Sequence, residues 1–196
     1  MYLKDNTWPT YYSKAKGINI WGINNKKYYD FSMMSAGTCV LGYSDNDINK
    51  TAFNAIKSGS MTTLNPPEEV ELAELLLKLH PWAESVKYAR TGGESMSVAI
   101  RLSRAYTKKE KILFCGYHGW HDWYLSANLK GKKKLDTHLF PDLKILGVPK
   151  VLKSTVHTFY YNDFESLKKI INQKNQIGTI IMEPKRDYPP QLKFLE

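Results

Sequence analysis

The chain has 196 residues, enough to bury most of the apolar surface of an ordinary core, and 42% of them are hydrophobic against 24% charged. No run approaches the roughly 18 consecutive apolar residues of a membrane span, and "MYLKDNTWPTYYSKAKG" at the start lacks a signal peptide's apolar core, so a cytoplasmic protein with no membrane partner is expected. The net charge of +9 raises a nucleic-acid partner, but the lysines are spread along the chain and "KGKKK" at 130–134 sits in no nucleic-acid-binding motif, so a solvated loop is expected there.

Residues 17–31, "GINIWGINNKKYYDF", alternate apolar and polar around an Asn-Asn pair able to take the positive φ of a tight turn, which predicts a hairpin. Residues 44–59 predict a helix, with Ser44 and Asp45 as cap candidates, Ile48, Phe53 and Ile56 at near-helical spacing, and Gly59 at the end. In "PPEEVELAELLLKLHP", proline and acids open a second helix, Val70, Leu72, Leu75, Leu76 and Leu79 form its expected buried face, and Pro81 stops it.

Next comes "SVKYA" at 85–89, an apolar run read as a strand. The helical "GGESMSVAIRLSRAY" and a second strand, "KILFC" at 111–115, follow it. Together they have the length of one β-α-β crossover, whose strands run parallel. Further on, "STVHTFY" and "GTIIM" are β-rich, with the helical "DFESLKKIINQ" between them. The pattern predicts an α/β protein with a mostly parallel sheet, preceded by a small β-rich segment. Cys39 and Cys115 lie far apart with no C-x-x-C pattern, so both are expected to be ordinary buried or half-buried thiols.

Ligands of open α/β sheets bind at the carboxyl ends of the strands, where helix N-termini offer free N–H groups. Three stretches fall at such ends: "TGGE" at 91–94, "GYHGWHDW" at 116–123 and "EPKRD" at 183–187. In the first, Gly92 and Gly93 let backbone approach a ligand and Thr91 offers a hydroxyl, which suits a phosphate. T-x-x-E is equally a capping box, with Thr91 and Glu94 serving the helix itself. In the second, Tyr117 and His118 are either an aromatic platform for a flat cofactor or structural residues. His118, His121, Asp122 and His138 are of metal-ligating type, but their spacing matches no usual zinc pattern and no metal is expected.

"YARTGGESMSVAIRLSRAYTKKEKILFCGYHGWHD" resembles the N-S-G-T-E-A, A-x-R-x-A-R-x-x-T-x-x-x-K-I and Y-H-G stretches of class III aminotransferases, glutamate-1-semialdehyde aminomutase and its relatives above all. "KGINIWGINNKKYYDFSMMSAGTCVLGY" is similar to the same family's K-G-x-x-x-W-D-x-D-G-x-x-Y-I-D segment, and the likeness runs in order from about Lys16 to Glu183. The resemblance implies a pyridoxal 5'-phosphate enzyme of the aspartate aminotransferase fold, type I. Residues 1–45 would be the β-rich N-terminal segment of the small domain and 46–196 an incomplete cofactor-binding large domain. It implies that Thr91, Gly92 and Gly93 cradle the cofactor phosphate, that Tyr117 stacks on the ring with His118 beside it, and that Glu183 of the E-P pair belongs to the cofactor site. Gly93 stands where the family usually has threonine, Ala36 where the aminomutase usually has tryptophan, and "EPKRD" replaces a more apolar continuation.

The resemblance further implies a small amino/oxo-acid or amino-aldehyde substrate and a homodimer for the full-length enzyme. None of the lysines stands in the context of the family's Schiff-base lysine, Lys185 included, so no catalytic residue is assigned. The chain is expected to be an internal piece of a longer enzyme, inactive alone, with an open strand edge and an uncovered apolar helix face. The competing reading is a non-catalytic basic module that contacts nucleic acid through "KGKKK" and exposed tryptophans.

Overall fold

The structure is a computed structural model describing residues 9–32, 37–131, 134, 135, 138, 144–173, 176–185, 188–191 and 194. Ala36, Lys132, Lys133, Arg186 and Asp187, which figure in the sequence argument, lie outside the described residues. The chain forms two compact units, Met1–Leu75 and Leu76–Glu196.

The first unit holds a three-stranded antiparallel meander, β1 (Tyr12–Lys16), β2 (Asn19–Gly22) and β3 (Lys27–Tyr29). Asn25 takes φ 61° between β2 and β3, as the Asn-Asn signal predicts, and the strands pair with Asn19 opposite Tyr29. Gly17 and Tyr43 exchange backbone hydrogen bonds of 2.8 and 2.9 Å, and the Tyr43 hydroxyl donates to Asp30 at 2.5 Å. Helix α1 (Asn46–Ser58) is capped by Asp45, whose carboxylate accepts from the N–H groups of Asp47 and Ile48, and it ends at Gly59. Helix α2 (Pro67–Leu79) begins at the expected proline, and its last four residues belong to the second unit. The expected burial of its apolar face is not found. Val70, Leu75 and Leu79 are 60%, 53% and 64% exposed, and no described residue of α1 or α2 is buried. The periodicity is that of an amphipathic helix, but among the described residues its apolar side stays largely exposed.

The second unit is built on α3 (Gly92–Thr107), β4 (Lys111–Cys115), α4 (Asp122–Leu125), β5 (Val156–Thr158), α5 (Phe164–Gln173) and β6 (Ile177–Met182). The sheet is parallel, in the order β5-β4-β6, with Ile112 opposite Val156 and Thr179, and Phe114 opposite Thr158 and Ile181. Central β4 is covered on both faces, as parallel strands require. Ile112 and Phe114 pack with Ile100 of α3 and with Trp123, Tyr124 and Leu135, while Leu113 and Cys115 face Phe159, Tyr161, Leu167 and Phe194. This is the period-two alternation of a strand, with both sides apolar.

Residues 85–89, "SVKYA", do not form the predicted strand. Both edges of β4 are occupied by β5 and β6, so the segment has no place beside the strand that α3 leads into, and among the described residues no sheet partner pairs with it. It leads into α3 without regular secondary structure.

Candidate cofactor site

Thr91 caps α3 in extended backbone, and both halves of the capping box form. The Glu94 N–H donates to Thr91 Oγ1 at 3.1 Å, and the Thr91 and Arg90 N–H groups donate to Glu94 Oε2 at 3.2 and 2.9 Å. The Ser95 N–H donates to the Thr91 carbonyl at 3.0 Å, which begins the helical ladder. Among the described residues the N–H groups of Gly92 and Gly93 have no acceptor, and the Thr91 hydroxyl hydrogen is also left to donate. A side chain on Gly92 would meet nothing within 4 Å, so its first atoms would enter open space. Capping and anion binding are therefore not alternatives here: Glu94 serves the N-cap end, and the two glycines keep their donors.

The turn after β4 supplies the opposite wall. Gly116 at φ 96° reverses the chain, and His118 returns its Nε2–H to the Cys115 carbonyl at 2.9 Å. Because a carbonyl can only accept, that nitrogen carries the proton. Gly119, at φ 102°, approaches α3 so closely that a Cβ on it would stand 2.7 Å from the Cα of Gly93. The Tyr117 ring lies edge-on to Trp120, with centroids 6.1 Å apart and planes at 70°, and is 41% exposed. Partial burial pushes the Tyr117 phenol above the ordinary tyrosine range, and a hydrogen bond from Trp120 works the other way.

Thr91, Gly92, Gly93, Tyr117 and His118 all line one cavity of about 630 Å³, together with Gly119, Trp120 and His121. Glu183, just past β6, does not line it; its carboxylate lies beside Gly116, where a Cβ would come within 2.7 Å of Oε2. Among the described residues no three of His, Cys, Asp and Glu converge as a metal site would require. Of the four metal-type residues, His138 instead accepts the Gly116 N–H on Nδ1 at 3.1 Å and stacks on Tyr160, 6.0 Å away and 17° from parallel. Its carbonyl and that of Gly116 both lie within reach of the buried Tyr124 hydroxyl, at 3.3 and 3.1 Å.

Sequence reasoning weighed His121 only as a metal-type residue, and it missed Gly119 and the His138–Gly116 bond. Gly119 is the glycine of Y-H-G, and its motif position already asked for a backbone reason. His138 is 22 residues from Gly116, and nothing local marks that bond. Cys115 is buried and Cys39 half-buried, both as free thiols. Within "KGKKK", Lys130 and Lys134 are both exposed. No helix among the described residues is long and apolar enough to cross a membrane.

The Aminotransferase class-III family model matches residues 2–187. A 3-aminobutyryl-CoA aminotransferase of Cloacimonas acidaminovorans is 31% identical over 179 residues, covering 90% of this chain and 39% of that protein. A glutamate-1-semialdehyde 2,1-aminomutase of Campylobacter hominis is 35% identical over 178 residues, covering 90% of this chain and 38% of that one. The backbone superposes on an omega-transaminase from Sphaerobacter thermophilus with a TM-score of 0.81 at 24% identity, over 97% of this chain and 45% of the other. The chain thus spans about two fifths of the length of the curated relatives it matches. With the motifs in order along the chain and the same fold beneath them, it belongs to the class III aminotransferases, the pyridoxal-phosphate family of fold type I.

Proposed function

We propose that this chain forms the phosphate-binding and ring-binding part of an aminotransferase or aminomutase that moves an amino group on a small amino/oxo-acid or amino-aldehyde substrate. The full-length enzyme would be a homodimer. The observation that carries the reading is the convergence of two unclaimed helix N–H groups, a threonine hydroxyl and an aromatic pair on one cavity. These residues fit pyridoxal phosphate. The Gly92 and Gly93 N–H groups suit its phosphate, and the open space over Gly92 leaves room for one.

Bound pyridoxal phosphate would supply an electron sink for breaking bonds at the amino-bearing carbon. What the chain's own residues do follows from their positions. Gly92, Gly93 and Thr91 hold the phosphate at the positive end of the 16-residue helix α3. Tyr117 offers a flat face for the ring and, with its phenol held protonated, a hydrogen-bond donor rather than a charge. His118 is fixed by its bond to Cys115 and keeps the Tyr117 turn from opening. Among the described residues no lysine lines the cavity, and the chain is assigned the binding part rather than the amine-bearing catalytic group.

The test compares pyridoxal phosphate with pyridoxal, which lacks the phosphate, by quenching of tryptophan fluorescence. Wild-type chain is expected to bind the phosphorylated form more tightly. Gly92→Leu, whose side chain would enter open space without a clash, should keep the melting temperature and weaken that binding roughly tenfold or more. Equal binding of the two ligands by the wild type would overturn the reading.

A further inference from the structure

The imidazole of His121 occupies the space that a side chain on residue 93 would fill. A Cβ built on Gly93 would stand 2.8 Å from His121 Cδ2 and 2.9 Å from Nε2, closer than real Cβ contacts come. Gly93 is the second residue of α3, and its own N–H is one of the two left without an acceptor. The His121 ring therefore sits against the first turn of the helix, at the mouth where the unclaimed donors gather, and lines the same cavity as Thr91 and Gly92. It makes no hydrogen bond to any described residue, and as the N-cap of α4 it contributes no side-chain bond there. A ring held that close to a helix N-terminus with both nitrogens uncommitted suits a negatively charged ligand, to which an imidazole N–H adds a donor the glycine cannot give.

We propose that His121 is a phosphate ligand of this site, donating from its ring in place of the side chain that residue 93 lacks. The proposal deepens the pyridoxal-phosphate reading above and rests on it. It also explains why residue 93 is glycine: with the ring present there is no room for a Cβ, and with the ring absent there is room for a hydroxyl-bearing residue. Gly93 and His121 would then be two halves of one solution, and replacing them singly or together should not give additive effects.

The experiment measures binding of pyridoxal phosphate, pyridoxal and inorganic phosphate to the 196-residue chain, each variant being checked by its thermal melt. His121→Ala and His121→Phe should weaken pyridoxal phosphate and inorganic phosphate roughly tenfold, the loss of one charge-assisted hydrogen bond, and leave pyridoxal unchanged. Gly93→Thr alone should bind phosphate worse than wild type because the ring is in the way. Gly93→Thr combined with His121→Ala should recover most of the affinity lost by His121→Ala. His121→Phe with wild-type phosphate affinity, or with an equal loss for pyridoxal, would show that the ring is only a spacer and overturn the proposal while leaving the site intact. Wild-type chain with no phosphate-dependent binding would overturn the site reading and this proposal with it.

Discussion

Gly119 meets two requirements that no other residue meets together. Its φ of 102° strains any L side chain, and a Cβ there would run into the Cα of Gly93 at 2.7 Å. The neighbour it would strike is backbone, so relief requires moving the start of α3. Gly119→Ala is therefore expected to cost about 2–3 kcal/mol in urea denaturation and to weaken pyridoxal-phosphate binding. A wild-type denaturation curve would show that the two glycines do not approach in solution. In the other unit, hydrogen bonds from Ser32 first and from Tyr43 second hold the buried Asp30 carboxyl below its ordinary range, while the Tyr43 phenol is pushed up to about 12, chiefly by its bond to Asp30. The signs are opposite. The Asp30 contribution is present above about pH 4 and lost as pH falls through its lowered value; the Tyr43 contribution is present below about pH 10 and lost as pH rises towards about 12. Tyr43→Phe should lower stability near neutral pH by about 2 kcal/mol and remove the alkaline loss. Denaturation midpoints across pH check this, and an unchanged alkaline limb would assign that loss to other groups.

At the scale of elements, α3 shows how a local signal and a ligand site coexist. The T-x-x-E pattern at 91–94 forms the capping box it predicts, and the box takes up the N–H groups of Arg90, Thr91 and Glu94 while leaving those of Gly92 and Gly93. Thr91→Ala should cost about 1 kcal/mol and weaken phosphate binding, while Thr91→Ser should keep both. A loss of binding with Thr91→Ser as large as with Thr91→Ala would deny the hydroxyl its role. Strand β4 was legible for a different reason: a run of five residues rich in Ile, Leu and Phe between a helix and a glycine suits a strand buried on both faces. "SVKYA" has a comparable local pattern but forms no strand, because a strand exists only where another supplies its hydrogen bonds.

Across the whole molecule, apolar surface is unevenly covered. The core gathers around β4, whereas Phe53 of α1, Leu75 and Leu79 of α2, and Trp82 just beyond stay largely exposed. Exposed apolar area of this extent marks surfaces that associate. The chain is expected to bind a hydrophobic dye, and Leu75→Gln with Leu79→Gln should reduce that binding while changing stability by less than about 0.5 kcal/mol. A destabilisation of several kcal/mol, on the scale of core truncations, would show that this face is buried in solution.

Local chemistry, which acts over a few residues, was decided by the sequence: the Asn25 turn, the Asp45 and Thr91 caps, the starts and stops of α1, α2 and α3, and the buried character of β4. The family likeness, carried by motifs in order, was legible there too, and so were the five residues from Thr91 to His118 that line the cavity. Three things depended on tertiary structure. Which strands flank β4 is a choice among hydrogen-bonding partners far apart in sequence, and it excluded "SVKYA". Whether the α2 face is covered depends on what packs against it, which periodicity cannot say. And the place of His121 against Gly93, 28 residues apart, follows only once the β4 turn has been folded back on the start of α3, because contact between two loops is a property of the strands and helices that hold them.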